Sequence, residues 1–299
     1  MKILLLGKNG QVGFELQRSL SLIGCVTALG REETDPNYCG DLNHPEGLRN
    51  TVRRLSPDVI VNAAAFTKVD EAEGVGREKA VAVNEKGVAN LANLASEVGA
   101  LLVHYSTDYV YDGSGVAPWK ETDTTNPCNF YGQTKLAGDL AIAASGCNHF
   151  IFRTSWIYST RGSNFLRTML RLTAQMEQVS VIEDQFGAPT SASLVAFATA
   201  IAIRDHGATL APQKKRLHGT YNLTANGETS WYAYACLLAT LAKNFKCSVI
   251  PSSSKNYPGA ARPANSRLDT SKFESTFGLK LPDWELGVRL TMEELGYKQ

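Results

Sequence analysis

Residues 1–13 read Met1-Lys2-Ile3-Leu4-Leu5-Leu6-Gly7-Lys8-Asn9-Gly10-Gln11-Val12-Gly13. Lys2–Leu6 is a short, uninterrupted apolar run, the pattern of a strand buried on both faces. Gln11–Leu22 has the spacing of an amphipathic helix. Three glycines join the two. Glycine permits a tight turn and close backbone approach, and a helix N-terminus favours an anionic pyrophosphate. A G-x-x-G-x-x-G triplet carries little by itself. Set between a strand and a helix it predicts a dinucleotide site, against the alternative of a turn that only packs strand on helix.

The same alternation runs on through the first half. Val26–Leu29, Val59–Asn62, Ala100–Tyr105 and Phe150–Thr154 read as strands, and Glu46–Leu55, Lys79–Val98 and Tyr131–Ala144 as helices. Continuous apolar strands separated by helices predict an α/β fold, a doubly wound parallel sheet of Rossmann-like type with ligands at the carboxyl ends of its strands. The second half is less regular. Phe165–Met176, Ala192–Ile203, Ser230–Lys243 (with Thr229 as cap) and Trp284–Leu295 read as helices, and Val179–Ile182 and Gly219–Leu223 as strands. His206–Arg216 reads as a polar loop and Pro251–Arg267 as irregular. The expected organisation is a dinucleotide-binding domain over residues 1–152, to which segments near 176–190 and 218–243 return. A smaller, interleaved α/β substrate domain takes most of 153–299.

Composition narrows the function classes. The 299 residues are 43% hydrophobic and 20% charged, ordinary for a globular protein. Thirty Lys and Arg against 29 Asp and Glu leave a net charge of +1, which provides no electrostatic footprint for nucleic acid or an anionic membrane. The six cysteines are scattered without a C-x-x-C pair, so free thiols in a reducing cytoplasm are expected rather than disulfides or a zinc site. The apolar run of Met1–Leu6 is too short for a leader, and no stretch approaches the ~18 apolar residues of a membrane span.

A second stretch bears on chemistry. In Tyr131-Gly132-Gln133-Thr134-Lys135 a phenol and an ammonium stand four residues apart, on one face of a helix. The expectation is that the ammonium stabilises the phenolate and lowers the phenol's pKa toward the working range of a general acid or base. His104-Tyr105-Ser106-Thr107-Asp108-Tyr109 ends the fourth strand, and a hydroxyl there can hydrogen-bond a carbonyl oxygen that becomes an alkoxide. Taken singly, Tyr131 and Lys135 would pass for an exposed helix pair; with the glycine loop and the strand-end hydroxyl they indicate hydride and proton transfer across a C–O bond. The small residues Ala63–Ala65 let backbone pass close to a flat cofactor. Asn84, a poor helix former, marks a local distortion or a solvated side chain. At the end of the second strand no acid is present to accept from an adenosine ribose. Arg31 there either faces a 2′-phosphate, favouring NADPH with NADH also accepted, or is a solvated surface residue.

At these residues the chain resembles the extended short-chain dehydrogenase/reductase superfamily, whose members act on nucleotide sugars. Within it, the chain is similar to the dTDP-4-dehydrorhamnose reductase family. The likeness rests on the glycine loop and on Tyr38–Asp41, Asn62–Ala65, His104–Val110, Tyr131–Gly138, Phe152–Trp156, Asp184–Thr190 and Arg262–Leu268, nearly the whole chain. It implies NAD(P)H-dependent reduction of the 4-keto group of dTDP-4-dehydro-6-deoxy-L-mannose. It also implies Tyr131 as proton donor, Lys135 as the cofactor-binding lysine and Thr107 as the hydroxyl that polarises the carbonyl. Cofactor contacts would fall on Gly7, Gly10, Gln11, Val12, Gly13, Arg31, Asp41, Leu42, Ala65, Phe66, Thr67, Tyr105, Tyr131 and Lys135, and substrate contacts on Thr107, Asp108 and Trp156. Trp156 would serve as a flat apolar wall beside a deoxysugar, with a core aromatic as the alternative.

Two departures from the family matter. Many relatives carry Asp where this chain has Gly30. Some bridge a homodimer with a divalent metal through glutamates; Glu15 and Glu294 match two, but Ser193 stands where a third carboxylate is needed, so no metal is expected. Other expectations in view are a nucleotide-sugar epimerase or dehydratase, and a regulatory subunit that binds dinucleotide without catalysis. Against dehydration, Asp108 is followed by Tyr109 rather than a second carboxylate.

Overall fold

In the computed structural model, which describes residues 1–208, 217–242 and 247–297, the chain begins with β1 (Lys2–Leu6), α1 (Gln11–Ser21), β2 (Cys25–Leu29), α2 (Pro45–Leu55) and β3 (Val59–Asn62). The short helices α3 (Val69–Ala72) and α4 (Arg77–Ala80) lead through a wide π turn, Val81–Gly87, into α5 (Val88–Val98). Then come β4 (Leu101–Thr107), α6 (Phe130–Ala144) and β5 (His149–Thr154). The second half contains β6 (Ile157–Tyr158), α7 (Phe165–Thr173), β7 (Gln178–Ile182), β8 (Phe186–Gly187), β9 (Thr190–Ser191) and α8 (Ala192–Ala208). It closes with β10 (Gly219–Asn222), β11 (Thr229–Ser230), α9 (Trp231–Leu241), β12 (Ser248–Ser252), α10 (Ser271–Phe277) and α11 (Trp284–Glu294).

Six parallel strands form the main sheet in the order β10-β5-β4-β3-β1-β2. The doubly wound expectation holds, and the reason lies in the strands. Ile3 through Leu6 are at most 1% exposed, so β1 is covered on both faces, and each such side chain contributes roughly 1.5–3 kcal/mol. Alternate residues feed two cores. Ile3, Leu5, Val61, Val103, Phe150 and Phe152 pack with α1, α8 and α10; Leu4, Leu6, Ile60, Leu102 and Ile151 pack with α2, α5 and the π turn. Strand order reverses between β2-β1 and β3-β4, which opens a crevice at the carboxyl ends of β1 and β3.

The expected domain pattern needs correction in the second half. Only β10 of the expected returning segments joins the main sheet, beside β5. Gln178–Ile182 pairs instead with Ser248–Ser252, a strand that runs into the region read as irregular from Pro251. Helix α9 packs with α7, α11 and these two strands around Tyr158, Leu166, Tyr234, Leu238 and Trp284, away from the main sheet. Conversely α8 and α10 lie on the main sheet, through Val195, Ala196, Phe273 and Phe277. The cap of α9 is Ser230, whose hydroxyl accepts from the Ala233 N–H at 3.1 Å, not Thr229. The expected polar loop His206–Arg216 starts as the last turn of α8, and its remainder lies outside the described residues. Among the described residues no helix is long and apolar enough to cross a membrane.

Candidate functional site

The glycine loop occupies the crevice. Gly7 has φ +87°, and a Cβ there would fall 2.7 Å from the Ala63 carbonyl carbon and the Ala64 nitrogen, so the loop after β1 touches the loop after β3. A Cβ on Gly13 would fall on the Gly7 carbonyl oxygen. Gly10 differs: its φ is an ordinary −73°, and the nearest atom to a Cβ would be 3.4 Å away. Its bareness serves the space outside. That space is a cavity of about 580 Å³ whose wall includes Gly7, Gly10, Gly30, Arg31, Asp41, Leu42 and Ala63–Thr67, a size typical of cofactor clefts. Helix α1 points its N-terminus here with no side-chain cap and no acid in its first turn. By contrast α2, α6, α7, α9 and α11 are all capped by side chains. An uncapped helix start behind a bare glycine is a cradle for an anionic diphosphate, so the residues present fit a dinucleotide.

Of the residues assigned to a cofactor, Gly7, Gly10, Arg31, Asp41, Leu42, Ala65, Phe66 and Thr67 line this cavity. Gln11, Val12, Gly13, Tyr105, Tyr131 and Lys135 are not part of its wall. Gln11 Oε1 instead accepts from Asn164 Nδ2 at 2.8 Å and Ser159 Oγ at 3.1 Å, tying the loop after β6 to the glycine turn. Val12 packs into the core, and Tyr105 turns its hydroxyl to Thr199, 2.9 Å away. Arg31 is largely exposed and pairs with Glu32 at 3.1 Å. The carboxylate beside Gly30 is that of Glu33, which accepts from the Gly30 N–H and pairs with Lys8 at 2.8 Å.

Catalytic candidates gather one strand further on. Because β3 and β4 are paired, with Asn62 opposite His104, the end of β4 lies beside the cavity wall. Alternation sends His104 and Ser106 of β4 toward α6, where Lys135 and Asp139 stand one turn apart to meet them. Lys135 Nζ lies 2.9 Å from His104 Nε2, and Ser106 Oγ donates to Asp139 at 2.7 Å. Helix α6 starts where Asn129 accepts from the Gly132 N–H at 2.8 Å, with the Asn129 amide donating to the Ala261 carbonyl at 2.7 Å. Tyr131 and Lys135 thus share a face of α6 at the carboxyl end of the sheet. Tyr131 packs on the cluster that contains Phe66 of the cavity wall, and Tyr109 meets its ring edge-on at 5.7 Å.

Asn84 sits in the π turn. Its amide accepts from the Phe66 N–H at 2.9 Å and donates to the Phe66 carbonyl at 3.0 Å and the Thr134 hydroxyl at 3.2 Å. The distortion expected there is present, and it joins the cavity wall to α6.

Electrostatics correct one expectation. Burial pushes the Tyr131 phenol up, not down; the Asp108 charge pushes the same way, and a hydrogen bond with Thr107 opposes them. The amine that was to lower it is turned to His104 and the Tyr105 carbonyl, and burial brings Lys135 itself down to about 8. Tyr131 therefore holds its proton, the state a donor needs. Asp108 is 2% exposed, and burial raises its carboxyl to about 7 against hydrogen bonds with Ser266 and Thr107. Its Oδ1 accepts from the Thr107 hydroxyl at 3.1 Å, and its Oδ2 is fully buried. Tyr109 fills the place of a second carboxylate.

Trp156 adopts a left-handed backbone, φ 50°, and stacks on Trp231 with ring centroids 3.6 Å apart, its indole only partly buried. Strain of this kind persists only where surrounding contacts enforce it. Arg262 and Arg267 are engaged by Asp70 at 2.8 Å and by Glu228. Glu15, Ser193 and Glu294 do come together, around a cavity of about 270 Å³ shared with Arg18 and Arg161. Two residues central to the geometry, His104 and Ser266, carried no role in the sequence reading. For His104 the signal was its place three residues before Thr107, on the face of β4 opposite to that hydroxyl.

Comparison with known proteins shows the family. Residues 1–297 match the family model described as RmlD substrate binding domain. The chain is 49% identical over 302 residues to dTDP-4-dehydrorhamnose reductase of Escherichia coli K12, covering 99% of this chain and 98% of that protein. Among solved structures, a dTDP-4-dehydrorhamnose reductase from Clostridium acetobutylicum superposes with a TM-score of 0.90 at 32% identity, covering 99% of this chain and all of that one. The Bacillus anthracis dTDP-4-dehydrorhamnose reductase in complex with NADP gives 0.87 at 31% identity, with 98% and 99% covered. With a cleft that fits a dinucleotide and these likenesses along its full length, the chain belongs to the dTDP-4-dehydrorhamnose reductase family.

Proposed function

We propose that the chain reduces the 4-keto group of dTDP-4-dehydro-6-deoxy-L-mannose to the alcohol of dTDP-L-rhamnose, with NADPH as reductant and NADH also accepted. Bound in the cavity, the dinucleotide supplies a hydride to the carbonyl carbon. The protein does the rest. The uncapped start of α1 and bare Gly10 hold the diphosphate, and Ala63–Thr67 pass close to the rings. Arg31, on the cavity wall, meets a 2′-phosphate. Lys135 holds the nicotinamide ribose. Thr107 hydrogen-bonds the carbonyl oxygen, and Tyr131 gives that oxygen its proton as negative charge develops on it. Asp108 accepts from a sugar hydroxyl, and Trp156 walls the deoxysugar.

The observation that supports this reading is a cavity that fits a dinucleotide at the carboxyl ends of β1 and β3, with the Tyr131 phenol hydrogen-bonded to Thr107 at the end of the neighbouring β4. Loss of absorbance at 340 nm when purified protein, NADPH and the 4-keto sugar nucleotide are mixed is the expected result. NADPH that stays unoxidised over hours, with the cofactor demonstrably bound, sinks it.

A further inference from the structure

On the reading just given, Lys135 serves the cofactor ribose; its amine is also held by a buried polar chain that this role does not explain. Nζ lies 2.9 Å from His104 Nε2 and 2.6 Å from the Tyr105 carbonyl oxygen. Across the imidazole, Nδ1 lies 3.0 Å from Asn62 Nδ2. Asn62 is itself oriented, because its Oδ1 accepts from the Ala64 N–H at 3.1 Å. Asn62, His104 and Lys135 are each 1% exposed, so no bulk water completes their hydrogen bonds.

The donors can be counted. The Asn62 amide nitrogen only donates, so His104 Nδ1 must offer a lone pair. A neutral imidazole then carries its proton on Nε2, aimed at Nζ. An ammonium there would oppose one N–H to another. The geometry is satisfied when Nζ is an amine, which accepts from Nε2–H and donates to the Tyr105 carbonyl. Once Nζ takes a proton, Nε2 must accept, the ring proton must sit on Nδ1, and Asn62 must turn its oxygen to the ring and release Ala64.

The other charged and titratable groups facing this chain are Asp139 and Tyr131 on α6, Arg153 on β5 and Asp108 just after β4. The charged residues of α3 and α4 are exposed. Asp139 favours an ammonium on Lys135 but is shared with Arg153, 3.6 Å away, and Ser106. Burial acts against charge on both Lys135 and His104.

We propose that His104, fixed by Asn62, is a positioning residue that couples the charge of Lys135 to its own tautomer: Nε2–H beside an amine, Nδ1–H beside an ammonium. Ribose hydroxyls and the cofactor's negative charge favour the ammonium, so cofactor binding draws a proton from water onto Lys135 and moves the ring proton to Nδ1.

The test is ¹⁵N spectroscopy of the wild-type enzyme labelled at its five histidines, from pH 6 to 10, with and without NADP⁺. His104 is assigned by elimination, using single Asn variants of the other four. In the free enzyme His104 is expected to stay neutral and pass from Nδ1–H to Nε2–H as pH rises through about 8. With NADP⁺ the Nδ1–H form is expected to persist at least tenfold lower in proton concentration. Asn62→Asp, which offers only acceptors to the ring, should hold Nδ1–H to pH 10 and move the alkaline break in kcat/KM for NADPH upward by a unit or more. A tautomer that ignores pH in the free enzyme overturns the proposal, as does an Asn62→Asp break that stays in place. Should NADP⁺ fail to bind while the free-enzyme tautomer switches as stated, the coupling stands and the assignment of Lys135 to the cofactor falls.

Discussion

Tyr131 is half-buried, and desolvation of its phenol, with Asp108 nearby, keeps it protonated. Asp108 has a pH signature of its own. Its folded carboxyl is raised to about 7 from an ordinary 3.8, so the folded state holds the proton more tightly than the unfolded one. The stability this contributes is complete below about pH 4 and is lost as pH rises to about 7. Thermal melts of wild type should therefore lose Tm between pH 5 and 7.5, and Asp108→Asn should flatten that slope; an unchanged slope contradicts the assignment. Arg31 is exposed enough that its contribution is modest. Arg31→Ala should reduce kcat/KM with NADPH about tenfold, roughly 1.4 kcal/mol, and leave NADH nearly untouched; equal loss with both refutes the 2′-phosphate role. At this scale the sequence was legible where spacing sets position: Tyr131 and Lys135 do share a face of α6, and Thr107 does end β4. It was silent on directions set by neighbours, such as the turn of the Gln11 side chain to Asn164 and of the Lys135 amine to His104.

Among the elements, the π turn at Val81–Gly87 is the one most closely tied to the site. Helical periodicity ran through it unbroken, so a single helix from Lys79 to Val98 was the natural reading, and only the poor propensity of Asn84 marked the fault. What holds the extra residue is three buried hydrogen bonds from one side chain to Phe66 and Thr134. Asn84→Ala leaves the Phe66 N–H and C=O without these partners and should cost about 2–4 kcal/mol by denaturant unfolding. A larger fractional loss in cofactor affinity than in kcat should accompany it, since Phe66 lines the cavity. A cost below about 1 kcal/mol would mean that water replaces the amide. The early strands were readable because each is apolar on both faces. Two-residue strands such as β8 and β11 have no period to detect, and β12 was hidden by Pro251, which a strand at the edge of a two-stranded sheet tolerates.

Across the whole molecule, the halves are not separable along the sequence. Helix α10, close to the C-terminus, inserts Phe273 and Phe277 beneath the sheet begun by β1, against Phe150, Phe152 and Tyr221. Phe273→Ala should cost about 3–5 kcal/mol and lower one cooperative unfolding transition; a second, separate transition would show that the C-terminal region unfolds alone. Long-range docking of this kind leaves no local pattern, which is why the expected return of residues 176–190 to the main sheet failed while α8 and α10 went unplaced. The proposed chemistry rests on Tyr131 as the proton donor. Its most direct test is NADPH oxidation with the 4-keto sugar nucleotide by Tyr131→Phe, with NADPH binding measured in parallel. The account predicts a Kd within about twofold of wild type and a kcat lower by about 10²–10⁴. Turnover at the wild-type rate, with the cofactor bound as before, would contradict it.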